Sequence, residues 1–410
     1  MKKTLVRKYA KLIAKVGANV KKGQPVLIYI SADQHDFAAM LAEECYRLGA
    51  SYVRIEWSYL PVSKLAYRWQ SLARLSEVPV WQEEKYKLMA EEFPCRIHIV
   101  SDDPDGLRGV DVDKMQKASR AVSKVFKPYR DAIESKHQWT IAALPSEAWA
   151  KKVFPELKKQ QAVEALWKAI LDAVFVRDDP DCDPVLEWYR HNEDLRQRCE
   201  WLNKKKFEYL TYKSSNGTDF RCDLIPEGIW CGGGETTQKG IYFNLNMPTE
   251  EIFTSPKAGA CEGTLVSTKP LSYRGNLING FSIRFEKGRA VEWHAEEGEE
   301  LLGNIIKTDE GSAMLGELAL IPCSSPISRS GILYYETLFD ENASCHVALG
   351  TGFPDCVEGH GERTLEECRA LGINNSLVHV DFMIGAPDME ITGWKKGRAT
   401  PVFRNGEWAF

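Results

Sequence analysis

"PVLIYISADQHDFAAMLAEECYRLGASYVRIEW", residues 25–57, sets the architecture of the first half of the chain. Residues 25–31 form a short apolar run rich in β-branched side chains. A helical pattern follows from Phe37 to Leu48 and closes at Gly49, and "SYVRIEW" (51–57) is strand-like again. Two further strands are expected at "CRIHIVS" (95–101) and "QWTIAALP" (138–145), with helical patterns at about 63–92, 112–130 and 158–175. Alternation of strand and helix predicts a parallel or mixed sheet covered by helices. Before it, Leu5, Tyr9, Leu12, Ile13 and Val16 fall at helical spacing among charges, which describes an amphipathic helix ending at Gly17, not a signal peptide.

The texture changes after the acidic turn "RDDPDCDP" (177–184) and a helix from about 185 to 205. From there the chain is β-rich, with turn signals at 214–217, 231–234, 273–276 and 285–289. Helical patterns return near 297–307 and from Thr364. The expected fold is an α/β N-terminal domain, residues 1–190, followed by a β-rich α+β domain, residues 191–410.

Composition limits the function classes. The 410 residues carry a net charge of −5, so no global basic field attracts nucleic acid or an anionic membrane. The run Lys204-Lys205-Lys206 reads as a solvated face. No apolar run reaches the ~18 residues of a membrane span. The 11 cysteines are odd in number, scattered and without C-x-x-C, which argues against a disulfide framework or a cysteine zinc site and for a reducing cytoplasm.

Charges inside apolar stretches mark where chemistry is expected. In "NNSLVHVDFMIG" (374–385), His379 and Asp381 interrupt a strand two residues apart, so they leave the same face. Burying them is costly unless they are paired or bind metal. Three other stretches repeat the anomaly. "NMPTEEIFTSP" (246–256) holds Glu250 and Glu251, "AMLGELALIP" (313–322) holds Glu317, and "LFDENASCHVALG" (338–350) holds Asp340, Glu341 and His346. Singly, each has an ordinary reading: exposed turn glutamates, a carboxylate paired with arginine, a helix cap, a core histidine. Together they form a carboxylate-rich set with two imidazoles in one domain, which suits one or two divalent metals such as zinc, cobalt or manganese. Two metals can lower the pKa of a shared water, polarise a carbonyl and anchor an amine.

Other features carry less. His98 reads as a structural histidine and His360 as a surface loop residue. "CGGGETTQKG" (231–240) lacks the G-x-x-x-x-G-K-[ST] pattern of a phosphate loop, and no G-x-S-x-G appears. Trp230, Trp293 and Trp394 are core residues by default, with a peptide-lining role as the alternative.

"NMPTEEIFTSP", "GELALIPCSSPISRSGILYYETLFDENASCHVALG" and "VHVDFMIG" resemble, in order and spacing, the thermophilic-type metallo-aminopeptidases, the aminopeptidase T / aminopeptidase S / PepS family. The resemblance covers essentially the whole chain. It implies a cytoplasmic, homodimeric exopeptidase that removes N-terminal residues from short peptides with two metal ions, zinc or cobalt. By motif, the implied ligands are Glu251, Glu317, Glu341, His346, His379 and Asp381, with Glu317 as the bridging carboxylate. Glu250 is a candidate acid/base, with a surface glutamate as its ordinary reading. The family run H-x-A-L-G-x-x-Y departs here, because Phe353 stands at the tyrosine. If that hydroxyl stabilises an oxyanion, its loss costs about 3 kcal/mol. Tyr334 and Tyr335 are nearby substitutes in sequence, and a non-catalytic metal-bound homologue is the alternative reading.

Overall fold

The structure is a computed structural model that describes residues 1–133, 136–273 and 276–410. The turn expected at 273–276 involves residues 274 and 275, outside the described residues. The chain divides into two compact units, Met1–Arg190 with Gly234–Pro248, and His191–Gly233 with Thr249–Phe410.

In the first unit, a five-stranded sheet runs in the order Asn246–Met247, Trp139–Ala143, Cys95–Val100, Pro25–Ser31, Tyr52–Ser58. All pairings are parallel. Parallel sheets are buried on both faces, which is why Val26, Leu27, Ile28 and Ile30 are all core residues. The crossover helix His35–Arg47 ends where Gly49 takes φ 93°, a left-handed conformation that glycine adopts without cost. The helical pattern expected over 63–92 is three helices, Leu60–Trp69, Leu72–Ser76 and Val80–Glu92. Ser71 starts the second by accepting a hydrogen bond from the Arg74 N–H, and Pro79 precedes the third, so local capping divides one continuous pattern. The N-terminal helix, Lys3–Leu12, continues into a π turn, Ile13–Gly17. His98 stacks on Tyr29 with ring centroids 4.4 Å apart, as a structural histidine.

The second unit opens with the helix Pro184–Lys205, whose first residues belong to the first unit. A nine-stranded sheet and a five-stranded antiparallel sheet follow. Both contribute to one apolar core, with Phe220, Phe281 and Phe285 from the larger and Leu318, Val347 and Phe382 from the smaller. Trp230 belongs to this core, Trp293 packs against it, and Trp394 donates its indole N–H to Thr211 Oγ1 at 3.0 Å. Cys222 and Cys261, directly opposed on neighbouring strands, are disulfide-paired. One bridge is not a framework, but it is an exception to the expectation of free cysteines. Among the described residues, no helix is long and apolar enough to cross a membrane.

Candidate metal centre

The five-stranded sheet of the second unit runs His379–Met383, His346–Gly350, Leu315–Leu320, Ile252–Thr254, Cys231–Gly232, each pair antiparallel. Its strands alternate. Val347, Leu349, Val380, Phe382, Leu318 and Leu320 enter the core. The intervening positions carry the polar groups. Register then decides which of these meet: Glu317 lies opposite Ala348, and Ala348 opposite Asp381. Between the two carboxylates the strand carries only the methyl group of Ala348. Two pairs further along, on the same face, His379 lies opposite Gly350, whose φ of 105° suits glycine and where an added Cβ would strike the Val378 carbonyl.

The result is two overlapping groups. One ligand atom each from Glu251, Glu317 and His346 lie within 4.8 Å of one another, and the same holds for Glu317, His379 and Asp381. Glu317 belongs to both. His379 Nε2 is 3.0 Å from Glu317 Oε2 and 3.3 Å from Asp381 Oδ1, and His346 Nε2 is 3.6 Å from Glu251 Oε2. His379 Nδ1 lies 2.8 Å from the Thr351 carbonyl. Donating there fixes the tautomer and leaves Nε2 to face the carboxylates, the arrangement expected of a metal-binding imidazole.

Electrostatics show what such a site lacks without a cation. Burial, and then repulsion from Glu317, lifts the Glu251 carboxyl to about 7. Burial, reinforced by Glu251, Asp381 and Glu317, raises Glu341 well above the carboxylate range. Burial lowers the His379 imidazole, but Asp381 and Glu317 outweigh it and hold that imidazole up at about 11. A proton on His379 thus does part of the work of a positive ion. Asp381 Oδ1 is buried and accepts no well-aligned hydrogen bond. Carboxylates with imidazoles, one orphaned oxygen and an oxygen pair shared by two groups fit one or two divalent ions of the zinc or cobalt kind.

The other expected site residues fall in different places. Glu341 is in neither group, but it lines a cavity of about 220 Å³ with His379 and Asp381. Glu250 is buried, not a surface residue, and its Oε1 has no hydrogen-bond partner. The charges that act on it are His191, Asp194 and Arg329, none of them in the cluster. Glu250 belongs to neither ligand group. Phe353 packs edge-on against Phe253 and sits with its ring centroid 4.9 Å from that of His379. Tyr334 is buried and stacks on Phe339, whereas Tyr335 lines the cavity, with a left-handed backbone at φ 57°. His360 is half-buried, with its Nε2 3.6 Å from Asp355 Oδ1.

Sequence reasoning missed the supporting groups: Ala348 as the spacer, the Thr351 carbonyl, and Asn342, whose Oδ1 accepts the Glu250 N–H at 2.8 Å. A small residue two positions after a ligand histidine was the one available signal for Ala348. The other two are contacts between distant segments, with no local pattern.

The profile of the thermophilic metalloprotease (M29) family matches residues 2–408. Aminopeptidase AmpS of Bacillus subtilis (strain 168) is 41% identical over 404 residues, covering 98% of each chain. Aminopeptidase PepS of Streptococcus thermophilus is 39% identical over 406 residues, covering 98% of this chain and 97% of its own. The solved structure of wild-type AmpT from Thermus thermophilus superimposes with a TM-score of 0.91 at 36% identity, covering 100% of both chains. A buried carboxylate–imidazole cluster, full-length coverage and a shared fold together place this chain in the thermophilic metalloprotease (M29) family.

Proposed function

We propose that the protein is a metal-dependent aminopeptidase that releases N-terminal residues from short peptides, with catalysis in residues 191–410. The observation that carries this reading is the sharing of Glu317 by two ligand groups. Glu251, Glu317 and His346 would hold one divalent ion, and Glu317, His379 and Asp381 the other, with Glu341 completing the site from the cavity wall. Two divalent cations match the four carboxylates of Glu251, Glu317, Glu341 and Asp381. Bound there, such ions supply Lewis acidity: they lower the pKa of water and polarise a carbonyl.

The chain's own residues set the rest. The sheet face fixes Glu317 and Asp381 on either side of Ala348, whose small side chain separates the two carboxylates. The cavity beside His379 and Asp381 is closed by Leu271, Tyr273 and Tyr335. At about 220 Å³ it is smaller than the ~300–1,000 Å³ of typical ligand pockets, a size that suits one residue and not an extended peptide. Glu341, raised by its neighbours, is placed to accept or return a proton at its carboxyl oxygens. Tyr335 is a phenol of this cavity, beside Tyr273, and it is the candidate to serve where Phe353 has no hydroxyl.

A homodimer is supported by an apolar stripe on the helix Leu60–Trp69, where Val62 (60% exposed), Leu65 (51%) and Trp69 (83%) share one face. A cytoplasmic location rests on the cysteine usage. The test is hydrolysis of leucyl- and arginyl-p-nitroanilide by chelator-stripped protein refilled with cobalt or zinc. Metal-restored turnover that disappears in Glu317→Gln supports the enzyme. A fully metallated protein inert on these and on a short-peptide panel supports the second reading, a non-catalytic homologue, which the missing hydroxyl at Phe353 favours.

A further inference from the structure

We infer that Asn342 is a positioning residue for one metal position and not for the other. The inference rests on the two-ion reading above. Asn342 is fully buried. It lies in the short 3-10 turn Glu341–Ala343, directly after Glu341 and four residues before His346. Its side chain faces a different segment: Oδ1 accepts the Glu250 N–H at 2.8 Å, one peptide unit from Glu251. Its Nδ2 donates to the Leu338 carbonyl at 3.1 Å and reaches Glu341 Oε1 at 3.5 Å. A single carboxamide thus ties the stretch carrying Glu251 to the stretch carrying Glu341 and His346.

That tie matters because of where the ladder begins. Sheet pairing of the Glu251 segment starts only at Ile252, opposite Leu320. Between the paired Asn246–Met247 and that ladder, the backbone is held by two side chains, His191 Nε2 donating to the Thr249 carbonyl at 2.8 Å and Asn342 accepting from Glu250. The peptide unit just before Glu251 is therefore held by a side-chain tether, with the ladder taking over only after it. The members of the other group are different. Glu317, His379 and Asp381 all lie within paired strands, fixed by backbone hydrogen bonds that Asn342 does not touch. Loss of the carboxamide would free Glu251 relative to His346 and leave the second group in register. Groups that orient ligands in this way typically change metal affinity by roughly 10–100-fold.

The experiment measures cobalt bound per chain at equilibrium in a chelator-buffered series of free cobalt, with the visible cobalt absorption recorded alongside. The variants are Asn342→Ala, which removes the tether, and Asn342→Asp, which keeps an oxygen to accept the Glu250 N–H. The parent is expected to fill two positions. In N342A, one is expected to keep its affinity and the other to weaken by roughly 10–100-fold, with the corresponding part of the spectrum lost. N342D is expected to recover most of that loss. Two positions with parental affinity in N342A overturn the inference, as does equal weakening of both, or an N342D as weak as N342A. A parent that binds only one ion overturns the two-ion reading instead, and the inference falls with it. Should N342A fail to fold, as judged by thermal unfolding of the metal-free protein, Asn342→Ser is the tether-free variant and the same criteria apply.

Discussion

Glu317→Gln separates the cluster's structural cost from its metal-binding role. Without metal, Glu317 is a buried carboxylate pressed by Asp381 and relieved by His379 at 3.0 Å. Gln has nearly the same volume and can still accept a hydrogen bond from His379. Removing one of several crowded carboxylates is neutral or stabilising where repulsion and desolvation exceed attraction. The metal-free variant is therefore expected to melt at or above the parental temperature. With metal the order reverses. An ion bound at 1,000 times its Kd stabilises the folded state by about 4 kcal/mol, so two ions contribute about 8 kcal/mol. For domains of this size, each kcal/mol moves the melting point by roughly 2–4 °C. Parent protein should gain on the order of 20 °C on saturation with cobalt. Glu317 serves both groups, so E317Q should gain almost nothing, whereas His346→Ala, which damages one group, should keep about half. Differential scanning calorimetry of stripped and refilled samples measures all three. A full metal-dependent shift in E317Q, or equal shifts in E317Q and H346A, would refute the shared-carboxylate geometry.

Glu250→Gln should leave kcat for leucyl-p-nitroanilide unchanged at full metal loading, because the charges that act on Glu250 are His191, Asp194 and Arg329, none of them in the cluster; a fall of 100-fold or more at full loading would return it to the chemistry. Phe353→Tyr places a hydroxyl beside His379 and should raise kcat, by up to about 100-fold if it stabilises an oxyanion. No gain, together with a loss in Tyr335→Phe, would assign that role to Tyr335. In the first unit, burial and then Arg96 lower the His137 imidazole to about 4. Its folded pKa lies below the ordinary ~6.5, so its contribution is complete above pH 6.5 and is lost as pH falls toward 4. Between pH 7 and 5 this removes about 2 kcal/mol, and His137→Gln should flatten that part of the urea-midpoint profile. An unchanged slope in H137Q would show that His137 is not the group responsible.

The sequence by itself determined the two textures of the fold and the positions where chemistry was expected. Apolar period and turn chemistry are local, so Pro25–Ser31, Cys95–Val100 and the helix His35–Arg47 follow from a few neighbouring residues. The penalty for burying charge is likewise visible in one strand, as His379 and Asp381 show. Everything that depends on one segment meeting another was left to the tertiary structure. Strand register placed Ala348 between Glu317 and Asp381 and made Glu317 common to both groups. Of the adjacent glutamates, which only the family resemblance told apart in the sequence, the tertiary structure brings Glu251 and not Glu250 into a ligand group. Residues 246–247, which read as part of the second half, pair instead with Trp139–Ala143 as an edge strand of the first sheet. Hydrogen bonds between distant strands are set by the packing of whole sheets, and no local pattern in the chain encodes them.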